Sequence, residues 1–327
     1  MRVLVIGVGS IGARHAQVIH ELGGHELLLA DTRDECLREI GPQVGATGLF
    51  TDYRAALDEG PDCAIICSPN TLHAPMAVDC ARAGCHLLIE KPVAHSVEAA
   101  REIARVVSDT GVVASVGYVL RFWPGVARIG EMLRSGAIGD PLCARVMLGA
   151  RETLALAKTG WRAGGDEEGG PLLDYSHEID YLRMYLGEVS EVGCMVGRLG
   201  PEAENMVTVA AVILGFGTGA LGELHIDYLQ HPARRELDII GDRGRLFYDF
   251  RGMRLTLTDL DGNVEEENWS VARNEVFAAQ FRAFEAACGG LRTPEVPVGD
   301  AARTLNVALT AAQSARERRV LQVTDPV

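Results

Sequence analysis

Arg2 to Ile6 reads as a short buried strand that runs directly into Gly7-Val8-Gly9-Ser10-Ile11-Gly12, and this junction constrains the chain more than any other feature. A helical pattern follows through Ala13, Ala16, Val18, Ile19 and Leu22, and a second apolar run, Leu27 to Ala30, ends at Asp31. Glycines in this order between a strand and a helix, with an acid about 20 residues further on, form a dinucleotide-binding fingerprint. Gly7 permits the tight turn, Gly9 lets the backbone approach a pyrophosphate, and Gly12 lets the helix pack close to the strand. The helix start at Ser10 and Ile11 offers N–H groups and a positive dipole end to phosphates. Asp31 can accept both hydroxyls of an adenosine ribose and repels a 2′-phosphate, so NAD is expected over NADP; Arg33 lies close enough to soften that preference.

The rest of the first part repeats the alternation. Helix signals at Asp34–Ile40, Asp52–Leu57, Thr71–Ala83 and Ser96–Ser108 separate apolar runs at Leu49–Phe50, Asp62–Cys67, His86–Glu90 and Val112–Gly117. Apolar strands separated by helices predict a doubly wound parallel sheet covered on both faces, over residues 1–121. Beyond it the pattern changes. Helices are expected at Pro124–Arg134, Leu172–Leu186, Val271–Cys288 and Gly299–Arg316, with a strand at Leu142–Leu148. Five or six further strands are expected between Val189 and Leu257, including a hairpin around Gly217-Thr218-Gly219, and a last short strand near Val320–Val323. Residues 122–327 are therefore read as an α+β domain on a mostly antiparallel, open-faced sheet, whose free face is expected to pair subunits into a homodimer or homotetramer.

At 327 residues, with 47% hydrophobic and 23% charged residues, the chain has the composition of a soluble globular protein. A net charge of -14 argues against a nucleic-acid or anionic-membrane partner, since a phosphate surface needs a basic face. No apolar run approaches the roughly 18 residues of a membrane span. Eight cysteines without a CxxC pair read as reduced thiols, and with no secretory signal the expected compartment is the cytoplasm. No ligand spacing suggests a metal.

Three further constellations can carry chemistry. Ser68-Pro69-Asn70 with Thr71 and His73 follows one strand, and Glu90-Lys91-Pro92 follows the next, where ligands bind in open α/β sheets. The third is the stretch Gly169–Asp180, with Asp174 three residues before His177 on one expected helix face. A histidine beside a carboxylate can act as general base toward an alcohol.

Together these residues resemble the glucose–fructose oxidoreductase/inositol dehydrogenase family (Gfo/Idh/MocA). The resemblance covers the N-terminal fingerprint, Glu90-Lys91-Pro92, the segment Gly117–Phe122, the pair Trp161-Arg162 and the helix of His177. It implies a nicotinamide-dependent oxidoreductase acting on a secondary alcohol or ketone of a sugar, inositol or related small molecule. It assigns Lys91 a place beside nicotinamide and substrate, and His177 the role of general acid/base, with Asp174 orienting it or bonding substrate. Ser68, Asn70, His73, Glu90, Trp161 and Arg162 fall in cofactor-lining positions; Tyr118, Arg121 and Tyr228 fall on the substrate side. The chain departs from many members in two places: Leu173 stands where they carry the helix aspartate, and Val119 where they carry asparagine. The acids Asp166, Glu167 and Glu168 disfavour an anionic nucleotide-sugar substrate. Two other readings remain open: a glycosidase that retains its NAD and oxidises the sugar transiently, and a non-catalytic NAD-binding sensor.

Overall fold

The computed structural model describes residues 1–157, 170–200 and 206–326. The chain forms two compact units, one from Met1–Phe122 with Val271–Arg303 and one from Trp123–Ser270 with Thr304–Asp325.

The first unit is built on six strands: β1 (Arg2–Ile6), β2 (Glu26–Ala30), β3 (Gly48–Phe50), β4 (Cys63–Ile66), β5 (His86–Ile89) and β6 (Ala114–Val116). They lie in the order β3-β2-β1-β4-β5-β6, and every pairing is parallel. This is the expected doubly wound sheet. In register, Val5 lies opposite Leu29 on one side and Ile65 on the other. The crossover helices are α1 (Ser10–Leu22), α2 (Asp34–Ile40), α3 (Tyr53–Leu57), α4 (His73–Arg82) and α5 (Val97–Thr110). Local chemistry sets their ends: the Ser96 side chain accepts from Ala99 N–H at the start of α5, and Gly111, at φ 72°, closes it in the left-handed conformation. The strand order reverses between β1 and β4, so the carboxyl ends of these two strands mark the switch point where such sheets bind ligands.

The second unit begins with α6 (Pro124–Arg134), β7 (Pro141–Gly149), α7 (Arg151–Ala157), α8 (Pro171–Asp174) and α9 (Ser176–Leu186). Seven strands follow: β8 (Val189–Gly197), β9 (Val209–Phe216), β10 (Leu221–Asp227), β11 (Arg234–Gly241), β12 (Gly244–Asp249), β13 (Arg254–Asp259) and β14 (Val264–Asn268). After α10 (Arg273–Cys288) and α11 (Val298–Glu317), the short β15 (Leu321–Gln322) completes a sheet in the order β14-β13-β12-β11-β7-β10-β9-β8-β15. Its pairings are antiparallel except β7 with β10. The strands alternate: Val146, Val212, Leu224 and Leu237 are buried, while Arg145, Ile213, Glu223 and Glu236 turn to the opposite, open face.

Three expectations need correction. The helix expected over Leu172–Leu186 is two helices, because Tyr175 leaves helical geometry (φ −103°, ψ 28°) and packs its ring edge-on to Tyr228, 5.5 Å between centroids. A strand, β14, lies beyond Leu257, and α7 was not anticipated. The helix expected at Val271–Cys288 forms as α10 but belongs with the first unit rather than with residues 122–327, since Phe281 and Phe284 pack among Val3, Val5, Leu29 and Ile65.

Candidate active site

The glycine turn shows which of its residues the fold needs and which it leaves for a ligand. Gly7 sits at φ +86°, and a Cβ there would lie 2.8 Å from the Cys67 carbonyl carbon and the Ser68 nitrogen. A Cβ on Gly12 would lie 1.9 Å from the Gly7 carbonyl oxygen. Both positions are closed by backbone that cannot step aside. Gly9 differs: its φ is −77°, and a Cβ would meet only the Arg33 Nη2, at 3.8 Å. Among the described residues no side chain caps α1, which leaves the N–H groups of its first turn to a ligand. The space over Gly9 and those donors fit a pyrophosphate.

At the end of β2, Asp31 is buried. Burial alone would raise its carboxyl, but the Arg33 guanidinium and the N–H groups of Arg33 and Val8 outweigh it and hold the group below the usual carboxylate range. It is thus an anionic acceptor, as a ribose site requires.

The loops after β4 and β5 are tied to each other. His73 is buried, with Nε2 2.9 Å from the Ser68 carbonyl and Nδ1 3.0 Å from the Pro92 carbonyl. Burial lowers its pKa, against the pull of those carbonyls and of Glu90. The ring is therefore a brace between the two loops, not a group turned toward a ligand. Asn70 is 1% exposed, and neither atom of its side-chain amide has a hydrogen-bond partner among the described residues. A buried amide without partners costs about 1–3 kcal/mol, and a ligand in contact would relieve that cost.

Glu90 is held on two sides: Oε1 lies 2.9 Å from His15 Nε2, and Oε2 accepts from the Lys91 N–H at 3.2 Å. A Cβ on Gly117 would come within 3.0 Å of this carboxylate, so the glycine at the end of β6 makes room for it. The Lys91–Pro92 peptide is cis, as the X-Pro sequence allows. His15 was missed by sequence reasoning. Its only signal was a polar residue beside Ala16 and Ile19, on the side of α1 that packs into the core. Tyr118 is fully buried. Arg121 donates to Asp300 Oδ2 at 2.6 Å and to the Glu295 carbonyl at 3.2 Å, so its guanidinium fastens the segment after β6 to residues 295–300.

In the second unit, Gly170 (φ 85°) leads into α8, and Asp174 ends it. The buried Tyr228 hydroxyl donates to Asp174 Oδ2 at 2.6 Å. Tyr228 thus holds one oxygen of the carboxylate. His177 lies in the first turn of α9, beyond the break at Tyr175, so Asp174 and His177 are not on one continuous helix face. Next to it, the fully buried Glu178 pairs with Arg235 at 2.7 Å. Trp161 and Arg162 lie outside the described residues.

A glycine turn between a parallel strand and a helix, an anionic carboxylate at the next strand end and a Glu-Lys-Pro strand end in one unit, with a mostly antiparallel sheet in the other, are the features of two-unit dinucleotide-dependent oxidoreductases. The chain belongs to the Gfo/Idh/MocA oxidoreductase family: residues 1–118 match the model of the oxidoreductase family with an NAD-binding Rossmann fold, and residues 126–247 match the GFO/IDH/MocA C-terminal domain. It is 27% identical over 275 residues to a myo-inositol 2-dehydrogenase of Thermotoga maritima, covering 80% of each chain. It is 25% identical to the scyllo-inositol 2-dehydrogenase (NAD(+)) of Bacillus subtilis, covering 99% of this chain and 96% of the relative. Among solved structures, levoglucosan dehydrogenase in complex with NADH and L-sorbose shares the fold at TM-score 0.90 and 20% identity, covering 100% of this chain and 99% of that one.

Proposed function

We propose that the protein transfers a hydride between NAD and a secondary alcohol or ketone of a cyclitol or sugar. The observation that carries this reading is the set of groups at the carboxyl ends of the parallel strands. The open Gly9 turn, anionic Asp31, Asn70 with no amide partner among the described residues, and the Glu90-Lys91 corner all lie at strand ends flanking the switch point. The inositol dehydrogenases among its relatives supply the substrate class.

When bound, the nicotinamide supplies the hydride acceptor. The remaining work falls to the chain. In the oxidising direction Lys91 hydrogen-bonds the substrate hydroxyl and stabilises negative charge as it develops on that oxygen. His177 removes the hydroxyl proton, and Asp174, held by Tyr228, fixes the substrate or the imidazole. The brace of His73 keeps the loop before Asn70 and the loop after Lys91 at a fixed spacing. The open face of the nine-stranded sheet exposes Met195, Ile213 and Leu221, and we assign it to pairing with a second copy.

Lys91→Ala and His177→Ala test the roles. On a substrate that the wild type turns over, each is expected to cut kcat by 100-fold or more, at about 10²–10⁴ for an acid–base group, with NAD affinity within a few-fold. Near-normal turnover by His177→Ala would show that the base is another residue.

A further inference from the structure

The ribose acceptor of the nucleotide site is already saturated by the protein's own donors. A carboxylate offers about four acceptor positions, two on each oxygen. On Asp31 all four are taken: the Val8 N–H reaches Oδ2 at 2.7 Å and the Arg33 N–H reaches Oδ1 at 2.9 Å. The Arg33 side chain fills the other two, Nε to Oδ1 and Nη2 to Oδ2, both at 3.1 Å. The Arg33 side chain is 54% exposed, and its Nη2 is the atom nearest to a Cβ built on Gly9. The guanidinium therefore stands between the Asp31 carboxylate and the space over Gly9.

We propose that Arg33 is a specificity-determining latch on the nucleotide site: it competes with the ribose hydroxyls for Asp31, and once displaced it offers its fork to the 2′-phosphate of NADP. The inference rests on the dinucleotide reading of this site. Two backbone donors remain on Asp31 when the latch opens, so the carboxylate keeps its place and regains two acceptor positions for the 2′- and 3′-hydroxyls. NAD binding then proceeds against the Asp31–Arg33 pair. NADP binding gains a planar, charge-assisted partner for its phosphate and suffers repulsion from Asp31. The chain therefore binds both nucleotides, NAD more tightly, with Arg33 narrowing the gap from both sides.

The test is titration of the full chain with NAD and with NADP, for wild type, Arg33→Ala and Arg33→Lys. An exposed ion pair is worth about 0.2–1 kcal/mol, so Arg33→Ala tightens NAD by roughly 1.5- to 5-fold. Loss of charge-assisted bonds to the phosphate weakens NADP by about 10-fold or more. Arg33→Lys keeps the charge without the fork and retains NADP affinity better than Arg33→Ala does. If Arg33→Ala weakens NAD or leaves it unchanged, or moves NADP no more than NAD, the latch is refuted while wild-type NAD binding leaves the cofactor reading standing. A wild type that binds neither nucleotide refutes both. With its side chain half exposed, Arg33 is replaceable without unfolding the unit, and Arg33→Gln serves in place of alanine should that variant melt early.

Discussion

The three glycines of the nucleotide turn should separate cleanly into fold and function when each is replaced by alanine. At Gly9 the backbone (φ −77°) suits any residue, and the added methyl meets a single side-chain atom at 3.8 Å. Gly→Ala at a compatible site stabilises by about 0.4–1 kcal/mol through the unfolded chain. Gly9→Ala should therefore melt at or slightly above the wild-type temperature. At Gly12 the methyl would stand 1.9 Å from the Gly7 carbonyl oxygen, and both groups are backbone in the junction of β1 with α1. Relieving that overlap moves the helix off the strand, a cost at or above the roughly 1–3 kcal/mol of ordinary overpacking. At about 2–4 °C per kcal/mol for domains of this size, Gly12→Ala should lower the melting temperature by several degrees or more. Nucleotide affinity behaves oppositely at Gly9. The methyl would occupy the space assigned to the pyrophosphate, and a comparable overlap of about 1–3 kcal/mol would weaken NAD by roughly 5- to 150-fold. Differential scanning calorimetry without nucleotide and isothermal titration with NAD read the two effects separately. A Gly9→Ala protein that melts several degrees early, or that binds NAD like the wild type, would refute the assignment of that space to the pyrophosphate.

Other consequences follow from single contacts. Phe281→Ala should cost about 3–5 kcal/mol in urea denaturation of the first unit, because Phe281 is fully buried in its core; a loss below about 1 kcal/mol would detach α10 from that core. Tyr228→Phe removes a hydrogen bond to a buried carboxylate and should destabilise the second unit by about 1.5–3 kcal/mol, with a unit melting unchanged as the contrary result. His73 has a lowered pKa in the fold, so its contribution is present above its unfolded value of 6.5 and declines as the pH falls below that. Urea midpoints at about pH 7.5 and about pH 5.5 should therefore differ more for the wild type than for His73→Gln, and equal differences would place the titration elsewhere. Ile213→Lys puts a charge on the open face of β9 and, with the proposed pairing of that face, should lower the mass measured by light scattering; an unchanged mass would refute that assignment of the face.

What could be read from the sequence was what short-range order encodes. Gly7, Gly9 and Gly12 declare themselves by spacing, Asp31 by following an apolar strand, and Glu90-Lys91-Pro92 by standing at the end of another. The alternating open face of the second sheet was legible for the same reason: a period of two persists along each strand. What escaped was set by distant partners. His15 looks like an ordinary helix residue until Glu90, 75 positions away, is placed beside it. The aromatic face of α10 predicts burial but not that Val3 and Ile65 bury it. Arg121 reads as a substrate-side cation until Asp300 is found against it. Asp174 and His177 read as one helix face because nothing local marks Tyr175 as a break; its reason is Tyr228, more than 50 residues on.

Hydride transfer between a nicotinamide and a secondary alcohol is the chemistry proposed for this protein. The most direct test is NADH formation from NAD, followed by absorbance across a panel of inositols, aldoses, sugar acids and their nucleotide conjugates. Sustained NADH production with a cyclitol or sugar, abolished in Lys91→Ala, is the predicted result. Confirmed NAD binding with no NADH from any member of the panel, together with cleavage of a chromogenic glycoside, would contradict it and show that the bound nucleotide is returned unchanged at each turnover.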